Sequence, residues 1–110
     1  MSNIVVQKFG GTSLADTDRF KAVAKIIKDT SKTGKKVVAV VSAMAGETQR
    51  LIDLAKKVQE TPDPREYDAL ISSGEQVSVA LLAMTLRNEK VKSKSYTAFQ
   101  PVSYTHLTLP

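Results

Sequence analysis

Apolar residues recur along this chain with two different periods, and the change from one to the other divides it into strands and helices. Residues 3–8 (Asn-Ile-Val-Val-Gln-Lys) are β-branched and apolar and then break at Gly10-Gly11, which predicts a buried strand entering a tight glycine turn. After the turn, Phe20, Val23, Ala24, Ile26 and Ile27 recur at three- and four-residue intervals, which predicts a helix over about 16–31. Asp16 or Thr17 can accept the free amide protons at its start, and Asp18 suits its positive end. Gly34 closes that helix. Val37-Val38-Ala39-Val40-Val41 is apolar on both faces, as a central strand of a parallel sheet covered by helices on each side would be. Strand, helix and strand make one βαβ unit.

The second half is helical for longer. The loop Ser42-Ala43-Met44-Ala45-Gly46-Glu47 leads into Leu51, Ile52, Leu54, Ala55 and Val58 at helical spacing, with Thr48 as the expected cap. Pro62 and Pro64 interrupt the chain, and Pro64 fits the first turn of a third helical region. There Tyr67, Leu70, Ile71, Val77, Ala80, Leu81 and Met84 predict one apolar stripe. Ser72-Ser73-Gly74-Glu75 falls inside it. Because a mid-helix glycine costs about 1 kcal/mol, this patch is either a helix junction or a place where something approaches the backbone. Residues 94–99 read as a further strand, and neither an internal repeat nor a low-complexity linker is present.

Composition narrows the chemistry. The 110 residues contain no cysteine and one histidine, His106, so disulfides, thiolate zinc sites, cysteine nucleophiles and histidine clusters are excluded. No uninterrupted apolar run reaches the roughly 18 residues of a membrane span, and the amino terminus lacks a signal-like pattern, so the expected compartment is the cytoplasm with no membrane partner. The net charge is +5, concentrated in the first 55 residues, and the densest basic patch is Arg87, Lys90, Lys92 and Lys94. Lys21, Lys25, Lys28 and Lys32 repeat at helical spacing and read as a solvated helix face. With 5% aromatic residues and no recognition helix, no nucleic-acid partner is expected.

The strongest local signal is Lys8-Phe9-Gly10-Gly11-Thr12-Ser13, at a strand end just before a helix. Glycines let backbone amides approach phosphate oxygens, a helix start adds positive potential, and a lysine supplies a point charge that can follow a transferring group. The string is neither a Walker A loop nor a Gly-x-Gly-x-x-Gly dinucleotide loop, and a plain turn with a solvated lysine is the alternative. In an open α/β sheet, ligands gather beyond the carboxyl ends of the strands, and Lys8 to Ser13 and Ser42 to Thr48 both belong there. Turn formation alone would account for Ser42, helix capping for Thr48, and solvation for Glu75.

Taken together, these residues resemble a known family. Lys-Phe-Gly-Gly-Thr-Ser at 8–13, Val-Val-Ser-Ala-Met at 40–44 with Thr48 shortly after, Pro-Arg-Glu at 64–66 and Ser-Gly-Glu-Gln-Val at 73–77 closely resemble, in order and spacing, the amino-terminal part of an aspartate kinase. The resemblance runs from about Ile4 to Gln100. It implies an α/β three-layer sandwich with a mainly parallel sheet, amino-acid-kinase-like and incomplete, over residues 1–100. It also implies transfer of the γ-phosphoryl group of ATP, taken with Mg2+, to the side-chain carboxylate of L-aspartate, the first step toward lysine, threonine and methionine. Carried over by position, Lys8 faces the ATP phosphates as the catalytic charge, and Phe9, Gly10, Gly11, Thr12 and Ser13 complete the nucleotide loop. Ser42, Thr48 and Glu75 line the aspartate pocket, and no residue is assigned to a metal. The resemblance further implies a homo-oligomeric full-length parent whose remaining catalytic residues lie later in its chain, so this chain alone is expected to be inactive.

Residues 101–110 (Pro-Val-Ser-Tyr-Thr-His-Leu-Thr-Leu-Pro) carry no charged side chain and repeat the Ser-Tyr-Thr of 95–97. They are expected to be a non-native or disordered tail, and His106 receives no role. Two other functions stay open at this point. One is a kinase of the same superfamily with a different acceptor; the other is a small basic interaction module that uses Arg87 to Lys94.

Overall fold

In a computed structural model the chain forms a four-stranded sheet with helices on one face, and the structure describes residues 3–96 and 106–108. The strands β1 (Ile4–Phe9) and β2 (Lys36–Val41) flank α1 (Thr17–Ser31). Then follow α2 (Glu47–Val58), α3 (Pro64–Asn88), β3 (Lys94–Tyr96) and β4 (His106–Thr108). The sheet order is β1-β2-β4-β3. β1 and β2 pair in parallel from Ile4 opposite Lys36 to Phe9 opposite Val41, and β4 runs antiparallel to both β2 and β3. The expected βαβ unit is therefore present. Of the segment expected to be a tail, His106–Thr108 is this fourth strand, and 101–105, 109 and 110 lie outside the described residues.

Local chemistry sets the helix ends. Asp16 caps α1, its carboxylate accepting a hydrogen bond from the Arg19 N–H at 2.8 Å. Asp63 caps α3 in the same way toward Glu66 N–H, with Pro64 in the first turn. Thr48 is not a cap, contrary to the expectation. Gly46, at φ +80°, holds the cap position of α2, and Glu47 and Thr48 already belong to the first helical turn. The loop arrives there in a left-handed conformation that glycine adopts without strain.

The core lies between the sheet and the helices. Val37, Ala39 and Val41 of β2 face Phe20, Val23, Ala24 and Ile27 of α1 and Val79, Leu82, Ala83 and Leu86 of α3, with Leu14 beneath them. Fully burying a Leu, Val or Phe side chain contributes about 1.5–3 kcal/mol, so this cluster carries most of the stability. The helix faces differ from the expected ones on all three helices, and on α2 only Leu51 and Ala55 are buried while Leu54 and Val58 are exposed. Ile26 is 49% exposed, and on α3 the buried stripe is Gly74, Ser78, Val79, Leu82, Ala83 and Leu86, while Val77, Ala80 and Met84 point outward. α3 is apolar on more than one side, so periodicity alone does not choose which side meets the core. By length and composition α3 could cross a membrane, yet this stripe serves as its contact with the sheet layer.

The opposite face of the sheet lacks a helix layer among the described residues. Ile4 and Val6 are more than half exposed and alternate with half-buried Val5, Gln7 and Phe9, while Val38 and Val40 are only partly covered. β2 thus has its two apolar faces as expected, with one of them open.

Candidate functional site

The parallel pairing of β1 and β2 sends two loops out of the same carboxyl edge of the sheet. Lys8 stands opposite Val40 on the open face, exposed, its side chain without a hydrogen bond or ion pair among the described residues. Ser42 continues the ladder by donating its backbone N–H to the Phe9 carbonyl at 3.2 Å, and its side chain is exposed. Phe9 turns inward and packs against the core, so its side chain anchors the loop from below.

The two glycines after it have different physical reasons. A Cβ at Gly11 would meet the Ala43 carbonyl oxygen at 3.2 Å and the Ala45 backbone at 3.6 Å, so Gly11 is what lets the first loop lie directly on the second. A Cβ at Gly10 would meet no protein atom within 4 Å, and its φ of −82° suits any residue. Nothing in the described fold requires glycine at position 10. The open space beside this backbone is what close approach of a ligand would use.

One expected feature of this loop is absent. The glycines do not lead straight into the start of α1 but into a single 3-10 turn, Gly11–Leu14, closed by Ser13 N–H donating to the Gly10 carbonyl at 3.1 Å. α1 begins only at Thr17, its positive end already met by Asp16 and Asp18. Thr12 is exposed on this turn and Ser13 is half-buried. The helix that starts beside the loops is instead α2. No side chain among the described residues caps it; the Glu47 N–H donates to the Met44 carbonyl at 3.0 Å, and Thr48 sits exposed in the same first turn.

α3 reaches this edge at its polar patch. The helix runs unbroken from Pro64 to Asn88, so Ser72-Ser73-Gly74-Glu75 is a place of close approach rather than a junction. A Cβ at Gly74 would stand 3.0 Å from Ala43 Cβ, 3.4 Å from Leu51 Cδ1 and 3.5 Å from Glu47 Cγ. Ala43 is thus held between Gly11 of the first loop and Gly74 of α3. Glu75, the next residue on the helix, is half-buried and makes no side-chain hydrogen bond or ion pair among the described residues.

A second glutamate at this edge has the opposite status. Both carboxylate oxygens of Glu47 are taken by the Arg50 guanidinium, at 3.0 Å from Nε and 2.6 Å from Nη2, and this fork holds the Glu47 carboxyl below its ordinary range. In the sequence Glu47 reads only as a loop residue and Arg50 has no role. The signal available was Glu and Arg three apart at a helix start. Of these two glutamates, Glu75 is the one left unengaged among the described residues.

The basic patch at the end of α3 is partly occupied with local structure. Arg87 donates to the Ser93 carbonyl at 2.8 Å, Ser93 Oγ donates to the Ala83 carbonyl, and Lys94 lies 5.5 Å from the Tyr96 ring centre. Lys21, Lys25, Lys28 and Lys32 line a cleft with Asp29 and Glu89, in which Lys28 pairs with Glu89 at 3.8 Å. No cluster of three or more metal-ligating side chains occurs among the described residues.

The fold and this edge define a class: an open α/β domain with a lysine- and glycine-bearing loop at the carboxyl ends of two parallel strands. The chain belongs to the amino acid kinase family, whose sequence profile matches residues 3–105. It is 53% identical over 97 residues to the aspartate kinase Ask_LysC of Stutzerimonas stutzeri and 50% identical to the aspartokinase of Pseudomonas aeruginosa, covering 88% of this chain in each case. Among solved structures it superposes on the aspartate kinase of Synechocystis with a TM-score of 0.83 at 46% identity, covering 84% of this chain and 16% of that one. With E. coli aspartokinase III, solved in complex with aspartate and ADP in its R-state, the TM-score is 0.67 at 26% identity, over 80% of this chain and 30% of that one. The chain spans about a quarter of the length of the curated relatives it matches.

Proposed function

We propose that this chain is the phosphate-loop and aspartate-binding portion of an aspartate kinase, which transfers the γ-phosphoryl group of MgATP to the side-chain carboxylate of L-aspartate to give 4-phospho-L-aspartate. The observation that carries the proposal is the meeting of the Lys8–Ser13 and Ser42–Thr48 loops at one sheet edge, locked by Gly11 against Ala43. The names of its relatives, and the aspartate and ADP held by E. coli aspartokinase III, support the choice of substrates.

In this proposal Lys8 neutralises charge on the ATP phosphates, and the backbone at Gly10 and Gly11, with Thr12 and Ser13 beside it, surrounds them. Ser42, Thr48 and the uncapped start of α2 receive the aspartate carboxylate that does not react, and Glu75 receives its ammonium. Glu75 suits that role because Arg50 already engages the competing carboxylate of Glu47. The reacting carboxylate is a competent nucleophile at neutral pH and needs no general base, so catalysis reduces to alignment and to stabilising charge on the transferring group. One lysine is too little for the second task, and the remaining groups belong to later parts of a longer parent, cytoplasmic and homo-oligomeric, that carries this segment.

The test is a chimera of the Stutzerimonas stutzeri enzyme in which residues 4–96 are those of this chain, assayed for ADP release against a panel of carboxylate, carbamate and nucleotide acceptors. Release that depends on aspartate and is lost in Lys8→Ala supports the proposal; preference for another acceptor overturns it. The 110-residue chain alone is expected to release no ADP with aspartate.

A further inference from the structure

Within the edge described above, one pair of charged residues has no part in binding either substrate, yet its geometry bears on where the aspartate groups lie. Glu47 is the first residue of α2 and directly precedes Thr48. Its Cγ lies against Gly74, where a Cβ would stand 3.5 Å away, and Gly74 directly precedes Glu75. The side chain therefore reaches from the first turn of α2, which carries Thr48, toward the part of α3 that carries Glu75. Its carboxylate is fixed by the two-pronged hydrogen bond from Arg50, one turn further along α2. A planar guanidinium bound through two nitrogens restricts the carboxylate's rotation as well as its position. With 26% of its side-chain surface exposed, Glu47 is more covered than Arg50, at 59%. The arginine is the outer brace and the glutamate the inner spacer.

We infer that Glu47, braced by Arg50, is a positioning residue of the aspartate pocket, setting the distance between Thr48 at the head of α2 and Glu75 on α3. This inference rests on the aspartate kinase proposal. Surface ion pairs contribute little to stability in themselves, so the consequence falls on geometry rather than on folding. When the spacer is lost, Leu51, one turn further along α2, still holds the helix against Gly74, but the first turn of α2 loses its own contact there, and the hydroxyl of Thr48 and the carboxylate of Glu75 no longer match one substrate. The nucleotide loop, on the far side of Ala43, keeps its support from Gly11 and Phe9. An arginine held by an inner glutamate also has a second effect: it keeps the Glu47 carboxylate from competing with Glu75 for the substrate ammonium.

The experiment uses the active chimera described above, with Glu47→Ala, Glu47→Gln, Arg50→Ala and Arg50→Lys. Gln49→Ala is the control on the exposed side of α2, where Gln49 bonds only to Asp53. The expected result is a KM for aspartate raised about tenfold in Glu47→Ala, with KM for ATP and kcat within about twofold of the parent. Glu47→Gln keeps the methylenes against Gly74 and one oxygen for Arg50, so it recovers most of the loss. Arg50→Lys recovers less than Glu47→Gln, because an ammonium cannot reproduce the fork. An unchanged KM for aspartate in Glu47→Ala overturns the inference, and so does a parallel loss in kcat and both KM values, which would mark a general structural defect. A chimera inactive with aspartate before any of these substitutions counts against the proposed function instead.

Discussion

Gly74 faces Ala43 so closely that a Cβ on the glycine would stand 3.0 Å from the Cβ of the alanine. This contact joins α3 to the loop after β2, and it explains a glycine in the middle of a 25-residue helix. Replacing a helical glycine by alanine ordinarily stabilises by up to about 1 kcal/mol. Here Gly74→Ala is expected to destabilise by about 1–2 kcal/mol, because overpacking outweighs helix propensity when the obstructing atom is a short side chain fixed to its backbone. Ala43→Gly should restore much of the loss in the double variant. Denaturant unfolding of the two single variants and the double variant measures the coupling.

Lys8 presents the reverse case, a side chain with no work in the fold. It is exposed and unpaired among the described residues, so Lys8→Ala should leave unfolding free energy within about 0.5 kcal/mol of the parent. Turnover in the active chimera should fall about a hundredfold or more, since the charge acts on the transferring phosphoryl group. A chimera that loses stability in step with activity would show Lys8 to be structural.

The Arg50 fork gives the Glu47 carboxyl a small acid response of defined sign. Because it depresses the Glu47 pKa in the folded state, the linked stability is present above the pKa of the unfolded chain and is lost as pH falls through the folded value. In Arg50→Ala the Glu47 carboxyl should titrate higher, back in the ordinary range. Following the glutamate side-chain resonances by NMR across an acid titration checks the direction. No change in Glu47 would mean that the fork does not form in solution.

The open face of the sheet should control solution behaviour. Ile4 and Val6 are 56% and 59% exposed beside partly covered Val38 and Val40, a contiguous apolar strip without its own helix layer among the described residues. The 110-residue chain is expected to self-associate and to melt broadly. Val6→Thr keeps β propensity while reducing the apolar strip, and it should shift size-exclusion elution toward monomer with the circular dichroism unchanged. A parent chain that is already monomeric and melts sharply would count against this.

Ser78 is fully buried on α3, and its Oγ has no hydrogen-bond partner among the described residues. Burying an unpaired hydroxyl is costly, so Ser78→Ala should raise stability by about 1 kcal/mol, measurable as a higher denaturant midpoint at unchanged slope. A loss of stability would show that the hydroxyl is satisfied in solution.

The pattern of residues by itself determined the βαβ unit, a polar cap for α1 at Asp16 or Thr17, Pro64 in the first turn of α3, and the placement of two glycine-bearing loops at one edge of the sheet. Those features follow from local rules: alternation, helical spacing, the short polar side chains that accept free amides, and the fixed relation between parallel strands and their loops. Only the tertiary structure decided which side of α3 is buried, because Val77 and Met84 are as apolar as Val79 and Leu82, and packing against α1 and β2 makes the choice. It also separated residues that look alike in sequence. Gly11 and Gly74 are required by contacts with Ala43 whereas Gly10 is not, and Glu47 is engaged by Arg50 whereas Glu75 has no such partner among the described residues. Such distinctions depend on which atoms, distant along the chain, come within a few ångströms, and short-range periodicity carries no record of that distance.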